Sequence, residues 1–465
     1  MPAFGTAMSP PDTPPRAART LRTVAPVLAL CWLAVFFDGM DVNIYGAVLP
    51  HLLEDSNLGL SKATAGTIGS WTTFGMLVGA LTAGNITDWV GRRPVLVASV
   101  SLFSAGSAVC AAAADPALFG TGRFLAGLGL GGLMPLCLAI VMEFAPPRRI
   151  ALATGLLMTS YHVGGMAATG LGLTLAPAAG WRWVFWAGVI PAVIAVPLLL
   201  KLMPESPGVL LAQGRRDRAD AITDRYGLPR AVPATAPVAG AKGRLDAVRA
   251  LFAPESRFAT PLLWLASFCG LLLVYGVSTW LPQMMLASGY GMTSSVSFLL
   301  VINAGGIVGM LIAGRTADRY GAVRVSAIWF VLTAVGALLL QTHLSLAVTY
   351  VVVAVTGIWL FSAQVMVYAA TSTVYPERAR ATGLGWVTGV GRSGAVLGPW
   401  LVGALADNGH DSWGFTVFAL AGVGGAIAVS LVPLARRATR GAGLAPAPPV
   451  TGTVSRPVLE ADDRS

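Results

Sequence analysis

The sequence predicts an all-α membrane protein of twelve transmembrane helices in two pseudo-symmetric six-helix halves. Three observations carry this. Charged residues make up 11% and apolar residues 55% of the 465-residue chain, whereas soluble domains are about 25% charged. Apolar stretches long enough to cross a bilayer, about 20 residues each, recur along its whole length. Three sequence landmarks also return, in the same order, at an offset of about 230 residues.

The twelve spans fall near 25–49, 63–86, 94–114, 117–143, 151–177, 183–203, 259–287, 294–316, 323–342, 345–372, 381–405 and 413–435. Span one is uncharged from Val24 to Leu49 except for Asp38 and Asp41. An acid in lipid costs about 2.5–3.5 kcal/mol on insertion scales, so two of them three residues apart on one helical face point to proton handling. Neutralisation of a buried arginine is the competing reading. Span two ends in Gly84-Asn85-Ile86-Thr87-Asp88-Trp89-Val90-Gly91-Arg92-Arg93. Span four carries Arg123 and Gly127-Leu128-Gly129-Leu130-Gly131-Gly132. That glycine run imitates a nucleotide loop, but inside an apolar helix with no preceding strand it reads as helix packing. Span five opens on Ala153-Thr154-Gly155-Leu156 and holds His162, a proton carrier or a hydrogen-bonded structural residue. Trp181, Trp183 and Trp186 stand where span six begins and read as interfacial anchors.

With the N-terminus inside, 27 of the 31 Lys and Arg residues fall in cytoplasmic segments or at the cytoplasmic ends of spans; Lys62 and Arg182 fall outside, and Arg123 and Arg392 lie within spans. This is the positive-inside pattern, with both termini cytoplasmic. The net charge of +10 therefore records topology and not a nucleic-acid partner. The expected organisation is a disordered tail over 1–23, a first half over 24–203, a cytoplasmic linker over 204–258, a second half over 259–436 and a disordered tail over 437–465. The N-terminal segment is too polar for a signal sequence, and no cleavage is expected. Cys31, Cys110, Cys137 and Cys269 lie in spans without CxxC pairing, which argues against a disulfide or metal framework.

The repeat supplies an internal control. The loop after span two returns as Gly314-Arg315-Thr316-Ala317-Asp318-Arg319-Tyr320-Gly321, Ala153-Thr154-Gly155-Leu156 returns as Ala381-Thr382-Gly383-Leu384, and Tyr45-Gly46 returns as Tyr275-Gly276. Two halves joined this way are the pattern of a transporter with its site near the midplane between them. Aligning Tyr45 with Tyr275 puts Asp38 and Asp41 opposite Phe268 and Leu271. The second half builds the same helix without acids, so the scaffold does not require them. The loops occur in both halves and suit conformational change more than ligand binding.

Depth arithmetic suggests a partner for Asp41. It lies about 16 residues into span one, or ~24 Å, while Arg123 lies ~21 Å from the same face. A purely structural pair and a proton-relay role both remain open. Arg392 stands mid-span in Gly389-Val390-Gly391-Arg392-Ser393-Gly394, with no acid in any span of its own half. A guanidinium of that kind suits a substrate carboxylate through two parallel hydrogen bonds. The alternatives are backbone or water satisfaction, or a partner acid across the halves. Tyr45 shares a face with Asp41, and Tyr161, Tyr275, Trp280, Trp359, Phe361, Tyr368 and Trp386 offer walls for an aromatic pocket or ordinary packing. Glu143 ends span four beside Pro146-Pro147-Arg148-Arg149 and reads as a gating ion-pair member.

These residues resemble the major facilitator superfamily over nearly the whole chain. Its signature loop G-x-x-x-D-x-x-G-R-[RK] is met by Gly84, Asp88, Gly91, Arg92 and Arg93, with Trp89 where an Arg is common. Arg123 and Gly127 match its span-four motif. Pro204-Glu205-Ser206-Pro207 is shared by several of its porter families. Within it, Asp38-Gly39-Met40-Asp41, with Glu143 and Arg392, is similar to the aromatic acid:H+ symporters. The resemblance implies a monomeric inner-membrane importer of a small aromatic carboxylate, such as benzoate, a hydroxybenzoate or gentisate. It implies no cofactor, no metal and, without a Walker motif, no ATP. Asp38, Asp41 and Arg123 would couple protons; Arg392, Tyr45, Tyr275 and Trp386 would hold the substrate. Gly84, Asp88, Gly91, Arg92, Arg93, Glu143 and Asp318 would gate, with Asp88 capping a helix or pairing with arginines across its loop. A proton-driven exporter, a transporter-like receptor and a sugar porter are the rival readings.

Overall fold

Fifteen helices account for the regular structure of the described residues, which are 21–146, 149–229, 249, 251–253, 256–375 and 377–442 of a computed structural model. The first half comprises α1 (Leu21–Glu54), α2 (Lys62–Val90), α3 (Arg92–Ala112), α4 (Pro116–Phe144), α5 (Ile150–Ala179), α6 (Trp181–Ala187) and α7 (Ile190–Leu202). Two short helices follow, α8 (Pro207–Ala212) and α9 (Arg216–Tyr226). The second half comprises α10 (Ala259–Ala287), α11 (Met292–Tyr320), α12 (Ala322–Leu340), α13 (Leu346–Val374), α14 (Glu377–Asp407) and α15 (Trp413–Ala442). The expected tails lie outside the described residues except at their edges, 21–23 and 437–442; so does most of the linker beyond α9.

The expected sixth span is two helices in series. Gly188 closes α6 by donating to the carbonyls of Phe185 and Trp186, and α7 restarts with Pro191 in its first turn, where the missing proline N–H is harmless. Together they read as a single span, Trp181–Leu202.

Nine spans among the described residues are long and apolar enough to cross a bilayer on composition alone. The three long helices outside that set, α2, α5 and α14, are rich in Gly, Ser and Thr. Contacts explain why. The halves meet where α2 packs on α14, α5 on α11 and α1 on α10. Helices that face a partner half need small residues and polar groups in place of lipid-facing bulk. Pseudo-symmetry shows in the packing: α1 lies on α5 as α10 lies on α14, and α2 on α4 as α11 on α13.

α1 starts and α15 finishes at one end of the bundle, called proximal here. At the distal end the halves are zipped together. Lys62 pairs with Asp411 at 2.6 Å, the Ala63 amide donates to Asp407 at 3.3 Å, and the Ser70 hydroxyl donates to the Val396 carbonyl at 2.6 Å. Any side chain at Gly66 would strike Pro399 and Gly403, and one at Gly46 would strike the Ser278 carbonyl. Toward the proximal end, Gly155, Gly385 and Gly389 face open space, as do Gly84 and Gly314, and Trp89 is 85% exposed.

The zipper makes a prediction. Lys62 and Asp411 are each about one-third exposed, so their pair contributes about 0.2–1 kcal/mol. Lys62→Ala should leave thermal stability nearly unchanged yet raise the distally open population up to about fivefold. Maleimide labelling of an introduced Ser278→Cys, applied from the distal side, reads that shift directly.

Candidate functional site

Asp38 and Asp41 diverge despite their three-residue spacing. Asp41 turns into the first half, fully buried. Its Oδ2 pairs with Arg123 Nη1 at 3.1 Å, and its Oδ1 accepts from the Ser107 hydroxyl at 2.5 Å. Arg123 Nε donates to Thr72 Oγ1 at 3.1 Å, and the guanidinium carbon lies 5.4 Å from the Tyr45 ring and 5.8 Å from Phe185. The depth match read from the sequence therefore corresponds to a real contact between α1 and α4. Tyr45 is part of this group; its hydroxyl donates to the Ala65 carbonyl at 2.7 Å.

Asp38 faces the space between the halves. It is 2% exposed, and its Oδ1 has no hydrogen-bond partner among the described residues. Arg392, midway along α14, is within electrostatic reach of Asp38, yet no described residue lies within ion-pair distance of its guanidinium. Tyr161 of α5 and Tyr275 of α10 interact electrostatically with both groups, and Tyr368 of α13 interacts with Arg392. Gln364, Thr388 and Ser267 surround Tyr368; Gln364 Nε2 donates to Ser267 at 3.0 Å. An open guanidinium and a bare carboxylate oxygen, ringed by three tyrosines from three helices, form an anion-receptive site with a titratable neighbour.

Glycines set this spacing. A Cβ at Gly39, between the two acids, would collide with the Tyr161 backbone carbonyl, and one at Gly164 with that of Phe36. The α1–α5 seam thus closes through glycine and presents Tyr161 beside Asp38. In the other half, a Cβ at Gly394 would strike the Phe268 carbonyl, so α14, the helix that carries Arg392, packs closely on α10.

Just distal to the cluster runs a buried polar chain across the halves. Asn43 Nδ2 donates to the Gly39 carbonyl at 2.8 Å, Asn303 Nδ2 donates to Asn43 Oδ1 at 3.2 Å, and His162 Nδ1 meets Asn303 Oδ1 at 3.2 Å. His162 is thus hydrogen-bonded within this buried chain, as the structural reading expects. Trp386 stands apart from the Arg392 cluster, 44% exposed and stacked on Trp264 at 5.6 Å. Trp280 is fully buried and donates to the Pro399 carbonyl at 2.8 Å. Of the three candidate anchors, Trp183 and Trp186 are exposed, but Trp181 is buried and donates to Asp55 at 2.9 Å. The Trp181 indole N–H, with the Arg182 guanidinium 3.2 Å away, holds the Asp55 carboxyl below the usual carboxylate range.

At the proximal end the residues expected to gate divide. Gly91 adopts φ +109°, open to glycine alone, and any side chain there would strike Glu205. Glu205 accepts from the amides of Arg92 at 2.7 Å, Arg93 at 3.2 Å and Ser206 at 2.9 Å. A carboxylate on the first amides of α3 satisfies orphan donors and complements the helix dipole. Glu143 pairs with Arg92 at 2.7 Å and accepts from the Ser206 hydroxyl at 2.8 Å. The Arg93 guanidinium donates to the Leu200 carbonyl. The expected loops are helical up to Val90 and Tyr320: Asp318, in the last turn of α11, is exposed, and Asp88 holds the corresponding place in α2 with its side chain outside the described residues.

Glu205, Ser206, Asn43 and Asn303 were not singled out by role in the sequence. Pro204-Glu205-Ser206-Pro207 was visible as a motif, but its partner amides lie 112 and 113 residues away. Glu205→Ala should cost about 1–3 kcal/mol, since it strands amides at a helix start. A lower melting temperature of the purified protein, with Glu205→Gln intermediate, is the expected reading.

A two-halved helical bundle with an anion-receptive midplane cluster is the build of a membrane carrier. The description "Major Facilitator Superfamily" matches residues 31–314 and 293–459. The chain belongs to that superfamily. It is 35% identical to the benzoate transport protein of Acinetobacter baylyi, over 82% of this chain and 83% of that one. It is 34% identical to the gentisate transporter of Corynebacterium glutamicum, over 88% of each. Among solved structures, the E. coli xylose transporter XylE in a partially occluded inward-open conformation superposes with a TM-score of 0.69, covering 88% of this chain and 97% of that one. At 16% identity that likeness speaks for the fold alone.

Proposed function

We propose that this protein imports a small aromatic carboxylate across the inner membrane in symport with a proton, both termini being cytoplasmic. The observation that carries the reading is the open Arg392 guanidinium beside the unpartnered Asp38 oxygen. The transport of benzoate and gentisate by relatives supports the substrate class, and Tyr161, Tyr275 and Tyr368 supply ring-facing walls.

Charge balance gives the coupling. With Asp38 ionised, Arg392 already has an anion nearby, and a second carboxylate would leave net negative charge in a low-dielectric site. A proton on Asp38 frees the guanidinium for the substrate through two parallel hydrogen bonds. Proton and substrate then cross together, and deprotonation on the cytoplasmic side returns Arg392 to Asp38 and expels the anion. Asp41 and Arg123 hold α1 against α4 as this happens. The Glu205 and Glu143 contacts keep the first half rigid, and the loops of Asp88 and Asp318 meet when the site opens outward.

Proteoliposomes loaded at neutral pH and diluted into acidic buffer should accumulate labelled benzoate, hydroxybenzoates or gentisate, and stop when the gradient is collapsed. Efflux alone would favour the exporter reading. Binding without flux would favour a receptor.

A further inference from the structure

A groove of about 970 Å³ lies at the proximal end, bounded by the start of α1, the proximal ends of α3 and α7, and the faces of α8 and α9. One wall is basic: Arg93, Lys201, Arg215, Arg218 and Arg225 all line it. Among the described residues its only acid is Glu205, already taken up by the amides of Arg92, Arg93 and Ser206. The other acids of α9, Asp217, Asp220 and Asp224, are not among its lining residues. Its lining also has an apolar, outward-facing part, with Val90, Leu200 and Leu202 45–55% exposed on helices that span the membrane.

α9 is built to lie flat there. Ala219, Thr223 and Tyr226 are buried, and Tyr226 meets Phe144 edge-on at 5.3 Å. Arg218 and Arg225, seven residues apart, share one face. A cationic wall with a lipid-facing apolar part at the membrane surface matches one kind of ligand, an amphiphile with an anionic head. Arginine forks hold phosphate through paired hydrogen bonds, and each basic residue near an anionic leaflet adds to the attraction.

We propose that this groove binds the headgroup phosphate of an anionic phospholipid of the surrounding leaflet, with its acyl chains against α3 and α7. The inference rests on the membrane-spanning fold and not on the substrate reading, so either can fail alone. It makes α8 and α9 a membrane-anchored brace beneath the first half.

The test is native mass spectrometry of the detergent-purified full chain, titrated with phosphatidylglycerol and with phosphatidylcholine of the same acyl chains. The wild type should retain one phosphatidylglycerol in clear preference to phosphatidylcholine. The triple variant Arg215→Gln/Arg218→Gln/Arg225→Gln should bind it roughly a hundredfold more weakly. Arg216→Gln, which lies off the groove, should keep the preference. If the triple variant unfolds, Arg218→Gln alone carries the comparison, with a loss of roughly fivefold. Equal phosphatidylglycerol binding by wild type and groove variants would overturn the proposal. So would an equal loss in Arg216→Gln, or displacement of the lipid by millimolar inorganic phosphate, which would mark a free-phosphate site.

Discussion

Arg392→Ala is expected to abolish binding of the aromatic acid while sparing the corresponding neutral amide. The guanidinium sits in the inter-half cluster beside Asp38 without an ion-pair partner, so the substrate carboxylate becomes its principal counter-charge. Removing one side of such a pair typically costs 2–5 kcal/mol, or roughly 30- to several-thousand-fold in affinity. Arg392→Lys keeps the charge but loses the planar fork and should bind substantially more weakly than wild type. Four affinities decide: wild type and Arg392→Ala, each against acid and amide. The account expects a large loss for the acid alone. Equal losses for both ligands would make Arg392 structural and turn attention to Arg123.

The two span-one acids should fail in different ways when neutralised. Asp38→Asn removes the proton acceptor but breaks no ion pair within bonding distance, since Asp38 and Arg392 interact only at longer range. Accumulation driven by a pH gradient should vanish, while counterflow exchange and acid binding persist and lose their dependence on pH. Asp41→Asn strands Arg123, which is 1% exposed and has Thr72 as its remaining side-chain partner. Breaking a buried pair from one side costs about 3–5 kcal/mol, so this variant should lose folded protein, seen as a sharp fall in melting temperature. Normal accumulation in both variants would remove the span-one acids from coupling. Counterflow lost equally in both, at unchanged stability, would remove the distinction drawn between them.

Intramembrane charge was the legible part of this site. Asp38, Asp41, Arg123 and Arg392 stand out because hydrocarbon penalises charge so heavily that each demands a reason. Helix rise even ranked Asp41 and Arg123 at one depth, and α1 and α4 do bring them to 3.1 Å. The divergence of the two acids was not legible, because residues three apart share a helical face only broadly, and neighbouring helices decide which wall each one meets. Tyr161, Tyr275 and Tyr368 could not be separated from Trp280, Trp386 or Phe361, since aromatic residues also serve packing and the membrane interface. The structure parts them: Trp280 is sealed into the core, Trp386 stacks on Trp264, and Phe361 rests against His162 at 4.5 Å.

Long-range polar contacts were equally hidden. Lys62 and Asp411 are 349 residues apart, and nothing in either local sequence names the other. Gly39 and Gly164 looked like ordinary small residues until the α1–α5 seam showed what a Cβ would meet there. Hydropathy carried the fold, and the spans read at 63–86, 151–177 and 381–405 fall on α2, α5 and α14, although their polar and small residues, which meet the opposite half, make them less apolar than the other nine. The residues that weaken the membrane signal are those that build the interface.

If Asp38 takes up a proton as Arg392 takes up the substrate carboxylate, ligand binding and protonation are linked. Calorimetric titration of the acid into purified protein, repeated in buffers of different ionisation enthalpy, counts the protons exchanged on binding. The account predicts net proton uptake in the wild type, affinity that rises as pH falls while the ligand stays ionised, and no uptake in Asp38→Asn. Binding that exchanges no protons in the wild type, or the same uptake in Asp38→Asn, would contradict it.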